Sequence, residues 1–117
     1  MHFVISATYG PTDPTRAMLP FIFAASALQD NDQVTIMLFA DSVFAAVEGA
    51  AAKLVPVGPP NRYEEVAGHR NVAPLACKPC LEARGLSPSV LDKRVKLGGM
   101  NDFHAAAKEP NARVVNF

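Results

Sequence analysis

Cys77 and Cys80 are the only two thiols in this 117-residue chain, and Lys78 and Pro79 stand between them. A thiol pair at that spacing can close a disulfide, bind a metal, or attack sulfur as a thiolate. The flanking sequence favours reactivity. Apolar Val72, Ala73, Leu75 and Ala76 precede the pair, and Leu81-Glu82-Ala83-Arg84-Gly85 follows, which predicts a strand that delivers both sulfurs to the start of a short helix. Unpaired N–H groups at a helix N-terminus bias a thiol toward its thiolate. On this reading Cys77 faces solvent as the attacking thiol, and Cys80 lies in the first turn as the resolving one. Pro79 suits the first helical position, where a missing N–H costs little. Arg84, one helical turn after Cys80, adds positive charge on the same face.

Other readings of these residues are blander. A free cysteine in an intracellular protein is often a small packing residue, but the spacing, Pro79 and the helix start together weigh against that here. A zinc site needs four ligands, and only His2, His69 and His104 are available, none at a ligand spacing from the pair. The sequence therefore predicts no metal and no cofactor. His104 reads as a helix residue and His69 as part of a solvated loop. Tyr9 and Asp41 matter only through their places at strand exits, and Asp41 serves equally well as a helix cap. No Gly-x-Gly-x-x-Gly follows the first strand; Thr8-Tyr9-Gly10-Pro11-Thr12 is the nearest approach to a phosphate loop.

The elements that must position the pair alternate in type. Residues 3–7 and 34–40 read as strands, the second so continuously apolar that both its faces should be covered. Between them residues 15–28 are helical, with Pro20 predicting either a kink or a delayed start. Asp41-Ser42 is read as the cap of a helix over 43–53, followed by a proline-rich loop at 56–61 and a short helix at 63–67. Residues 72–76 form the strand before the cysteines, and Gly85 ends their helix in the left-handed conformation. Ser87-Pro88 opens a helical segment toward Lys93, residues 95–97 form a short strand, Asn101 or Asp102 caps a helix to Lys108, and residues 113–117 form a last strand. This order predicts one domain over 1–117, of flavodoxin-like α/β class, with about five mostly parallel strands and helices on both faces. Four strand exits then share one edge, where ligands of such sheets bind: Thr8-Tyr9-Gly10, Asp41-Ser42, Cys77 to Cys80, and Gly98-Gly99.

Composition narrows the partners. Eleven basic and eleven acidic side chains cancel, and the longest basic run is Lys93-Arg94, which excludes the electrostatic footprint of nucleic-acid or anionic-membrane binding. The start Met1-His2-Phe3-Val4-Ile5 lacks the features of a signal peptide, and the apolar stretch 17–28 is too short to cross a bilayer, so a cytoplasmic location is expected. The helix over 15–28 is apolar around nearly its whole circumference, more than one sheet face can bury, which predicts a second copy of the chain against it.

The segment from Cys77 to Leu86, read as Cys-Lys-Pro-Cys-Leu-Glu-Ala-Arg-Gly-Leu, resembles the cysteine-helix signature of the DsrE/DsrF-like family, which includes sulfur-relay and YchN-type proteins. The likeness extends to the first strand, the apolar strand before Asp41, and the strand–helix–strand ending. It implies a flavodoxin-like subunit assembled as a trimer or hexamer. Cys77 falls at the family's sulfur-carrying position, where it would accept sulfane sulfur as a persulfide and pass it to a partner thiol. Donors and acceptors would be other proteins or small sulfane-sulfur compounds. Cys80 departs from the lone cysteine of the relay proteins but matches the Cys-x-x-Cys form of YchN-type members. A neighbouring thiol can discharge a persulfide by closing a disulfide, so dithiol–disulfide cycling is the first alternative. A non-catalytic oligomeric binding module is the second.

Overall fold

A computed structural model describes residues 1–117. Its centre is β2 (Gln33–Leu38), whose Val34, Thr35, Ile36, Met37 and Leu38 are all buried, as a strand covered on both faces requires. β1 (His2–Ala7) pairs with it in parallel, with Ile5 opposite Ile36. β3 (Val72–Cys77) lies on the other side of β2, with Leu38 opposite Ala76. The short β4 (Lys96–Gly98) and β5 (Ala112–Asn116) form the two edges, giving the order β4-β3-β2-β1-β5 with every pairing parallel. The chain thus walks outward from β1 to β4 and then returns to the far side of β1. Right-handed crossovers place the earlier connections on one face and the last helix, α4 (Met100–Ala107), on the other. The expected α/β class, the five strands and the flavodoxin-like arrangement all hold.

The first crossover helix, α1 (Pro14–Gln29), begins where the sequence offers two start signals. Asp13 accepts a hydrogen bond from the Arg16 N–H, and Pro14 occupies the first helical position, where its lost donor has no partner to miss. The helix runs unbroken through Pro20, which is itself buried, so the regular part starts six residues, about 1.7 turns, earlier than a delayed start at Pro20 would give. Met18, Phe21 and Ala24 face the sheet, while Leu19, Ile22, Phe23 and Leu28 are half-buried. Phe23 packs edge-on against Phe3 at 5.1 Å between ring centroids and leans on Phe117 at 5.9 Å.

Two predicted helices are not helices of that length. Instead of one helix over 43–53, a 3₁₀ segment spans Ala40–Ala46, the chain extends at Val47, and a single 3₁₀ turn follows at Ala51–Lys53. Gly49 takes a left-handed φ of 79°, and Val47 forms an antiparallel bridge with Leu91 instead of continuing a helix. Asp41 caps nothing, because Phe39 is the cap residue and offers no side-chain acceptor. After Ser87 only one 3₁₀ turn forms, Pro88–Val90. The expected short helix over 63–67 is α2 (Tyr63–Ala67). It is pinned to the segment before β4 by a partly buried network in which Tyr63 Oη donates to Asp92 Oδ2 at 3.0 Å and Arg94 Nη2 donates to the same oxygen at 2.6 Å. The Arg94 hydrogen bonds hold the Asp92 carboxyl down at about 2, while burial beside that carboxylate pushes the Tyr63 phenol well up.

Candidate functional site

β3 ends at Cys77, the cap residue of α3 (Lys78–Ala83), so one sulfur belongs to the strand and the other to the first helical turns. Cys80 Sγ–H donates to Cys77 Sγ at 2.8 Å, and the backbone N–H of Ala40, at the exit of β2, donates to Cys80 Sγ at 3.3 Å. Neither cysteine is in a disulfide. The exposure of the two thiols is the reverse of the sequence expectation. Cys77 is only 7% exposed and belongs to the apolar core, whereas Cys80 is half-buried and opens onto a surface cavity. Burial, seconded by the hydrogen bond from Cys80, pushes the Cys77 thiol up from its ordinary value, with Arg84 opposing only in part. A six-residue helix has too few aligned peptides to overcome that desolvation.

Arg84 ties the site to its neighbours. Its Nη1 donates to the Cys80 carbonyl at 3.0 Å, and its Nε and Nη2 both reach Asp41 Oδ1 at 2.9 Å. Asp41 is therefore an anchor for Arg84 instead of a helix cap. The exit of β1 closes on the same point, since a Cβ added to Gly10 would lie 2.6 Å from the Asp41 carbonyl oxygen. Only glycine lets these backbones approach so closely. Pro79 stands at the second helical position, not the first, and is exposed. Tyr9 is not brought to the thiols: it is 44% exposed and stacks beneath the Arg16 guanidinium, 5.4 Å from the ring centroid.

The cavity beside Cys80 measures about 570 Å³ and collects residues from four elements at the carboxyl edge of the sheet. Ser6 and Thr8 come from the end of β1, Phe39 and Ala40 from the end of β2, Cys80 and Arg84 from α3 and its cap, and Met100 and Phe103 from α4. Phe39 and Phe103 meet edge-to-face at 5.7 Å between centroids and form the aromatic part of its wall. The shared edge is the one expected from the sequence, but Phe39, Met100 and Phe103 were not among the residues expected there. Their signal was weak: Phe39 read as the tail of a strand, and the two α4 residues follow the Gly98-Gly99 exit with no local motif. A polar cleft of about 420 Å³ at the opposite edge is lined by His2, Thr35, Arg70 and Glu109 among others and holds no thiol. No three His, Cys, Asp or Glu side chains converge as a metal-ligand cluster.

The family model for the DsrE/DsrF-like family matches residues 1–117. The chain belongs to the DsrE/DsrF-like family. Proteins similar to it include an uncharacterized protein of Methanocaldococcus jannaschii, 32% identical over the full length of both chains, and one of Methanopyrus kandleri, 34% identical over 85% of this chain and 80% of that one. Among solved structures, the ychN protein from E. coli superposes over 100% of this chain and 99% of its own, with a TM-score of 0.78 at 23% identity. A protein of unknown function from Methanobacterium thermoautotrophicum gives a TM-score of 0.72 at 13% identity, covering 99% and 96%. At those identities the two structures establish the shared fold. No helix of this DsrE/DsrF-like chain is long and apolar enough to cross a membrane.

Proposed function

We propose that this protein carries sulfane sulfur on the Cys77/Cys80 pair, with Cys80 as the thiol that meets the donor. The observation that carries the reading is the pair itself: two thiols 2.8 Å apart, one opening on a cavity and the other shielded behind it. Cys80 as thiolate attacks the outer sulfur of a donor R–S–SH. The donor S–S bond breaks, its electron pair leaves on R–S⁻, and Cys80–S–SH remains. Cys77, deprotonated, then has two courses. Attack on the outer sulfur moves the persulfide to Cys77, the position of the sulfur-carrying cysteine in the family resemblance. Attack on the inner sulfur closes the Cys77–Cys80 disulfide and expels hydrosulfide, so that two thiols are oxidised and the sulfane sulfur is reduced.

A shielded Cys77 with its thiol pushed up makes both courses slow, which favours holding sulfur over discharging it. The acceptor is a partner thiol, on a protein or a small molecule, that attacks the outer sulfur in turn. A second reading, a dithiol–disulfide redox protein, draws on the same 2.8 Å separation. We further propose a homo-oligomer, trimer or hexamer, in which the half-buried flank of α1 meets another copy.

Cyanide releases sulfane sulfur as thiocyanate and separates the readings. After treatment with benzyl hydropersulfide and removal of excess, wild type and Cys77→Ser should each release thiocyanate, Cys77→Ser for longer because no thiol discharges it. Cys80→Ser should release little. Thiocyanate from none of the three, with a reversible disulfide in wild type, favours the redox reading and overturns sulfur carriage.

A further inference from the structure

We infer that the cavity beside Cys80 seats the organic body of an aryl or alkyl hydropersulfide, which reacts in its neutral RSSH form, and turns away small inorganic dianions such as thiosulfate. The inference rests on the sulfane-carrier reading and adds the class of substrate to it. The volume of about 570 Å³ falls among pockets that hold small organic ligands, about 300–1,000 Å³. Its walls are Phe39, Ala40, Met100 and Phe103, with the Phe39–Phe103 pair offering ring edges and faces to an apolar body. Met100 is 62% exposed, and its flexible thioether can close over what enters.

Charge excludes the alternative. Arg84 is the only cation in the lining, and its Nε, Nη1 and Nη2 are already directed to Asp41 and the Cys80 carbonyl. The cap of α4, which an anion would otherwise approach, is taken by its own carboxylate: Asp102 Oδ2 accepts the Gly99 N–H at 2.8 Å. A dianion entering here would lose water and gain no free cation. The neutral RSSH form, the one whose outer sulfur a thiolate attacks, enters with its organic body losing only apolar hydration. Its outer sulfur meets the Cys80 thiolate, the new S–S bond forms as the donor bond breaks, and R–S⁻ leaves to take a proton from solvent.

Two measurements test this, the first on wild type and the second on wild type beside one variant. Benzyl methyl sulfide has no transferable sulfur. It should protect Cys80 from iodoacetamide in a saturable manner, slowing alkylation by about tenfold, while thiosulfate protects not at all. Sulfur loading is then compared between benzyl hydropersulfide and thiosulfate, each rate normalised to that donor's rate with free cysteine. Met100→Lys, a change at an exposed position, should shift the ratio at least about tenfold toward thiosulfate by supplying the missing cation. Absence of protection up to the probe's solubility, or an unchanged ratio in Met100→Lys, overturns the assignment of the cavity. Protection without any sulfur gain from benzyl hydropersulfide upholds the apolar seat and overturns sulfur carriage, so the two failures are distinct.

Discussion

At Cys77 two opposing effects meet in one atom. The N-terminus of α3 favours a thiolate, and removal from water favours the thiol; with 7% exposure, removal from water wins and the thiol is pushed up. Iodoacetamide near neutral pH should therefore alkylate Cys80 at least about tenfold faster than Cys77, read by peptide mass, and equal rates would contradict the burial argument. The folded chain keeps the Cys77 proton above the ordinary thiol value of 9.0, where the unfolded chain has lost it, so this group costs stability as pH rises past 9.0. Asp92 works in the opposite direction. Its carboxyl is held at about 2 against an ordinary 3.8, so its contribution is complete above 3.8 and disappears as pH falls toward 2. Asp92→Asn should cost about 2 kcal/mol at neutral pH in urea unfolding, and the loss should shrink toward pH 2. A pH-independent loss would point to packing alone.

At the scale of elements, the site depends on three strand exits locked together. Gly10 abuts Asp41, Asp41 holds Arg84, and Arg84 holds the Cys80 carbonyl. Gly10→Ala should force the first two exits apart, costing about 1–3 kcal/mol, and should also raise the alkylation rate of Cys80 as Arg84 loosens. Destabilisation with an unchanged Cys80 rate would show that the loops are not coupled. The strands were legible in the sequence because burial on one or both faces leaves an apolar signature, and α2 because its short run is bounded by turn formers. The segment after β2 misled, since its alanines suit a helix in isolation, yet Gly49 at positive φ and the Val47–Leu91 bridge end it. The thiol pair was visible, but which thiol faces outward was not. That depends on how a six-residue helix is rotated against β3, and no residue within it encodes the rotation.

For the whole molecule, parallel order and right-handed crossovers bring exits from distant parts of the chain to one edge, which is why the place of the cavity was foreseeable and its aromatic wall was not. Phe39 and Phe103 are neighbours only because α4 lies on the face opposite α1. Sedimentation should give a trimer or hexamer, shifted toward monomer by Leu19→Glu on the half-buried flank of α1; a wild-type monomer would contradict the proposed oligomer. The claim that the thiol pair carries sulfur is tested most directly by intact mass after exposure to a sulfane donor. Wild type and Cys77→Ser should each gain one sulfur, and Cys80→Ser should gain it at least about tenfold more slowly. No added sulfur on any of the three, or equal gain on Cys80→Ser, would contradict that claim.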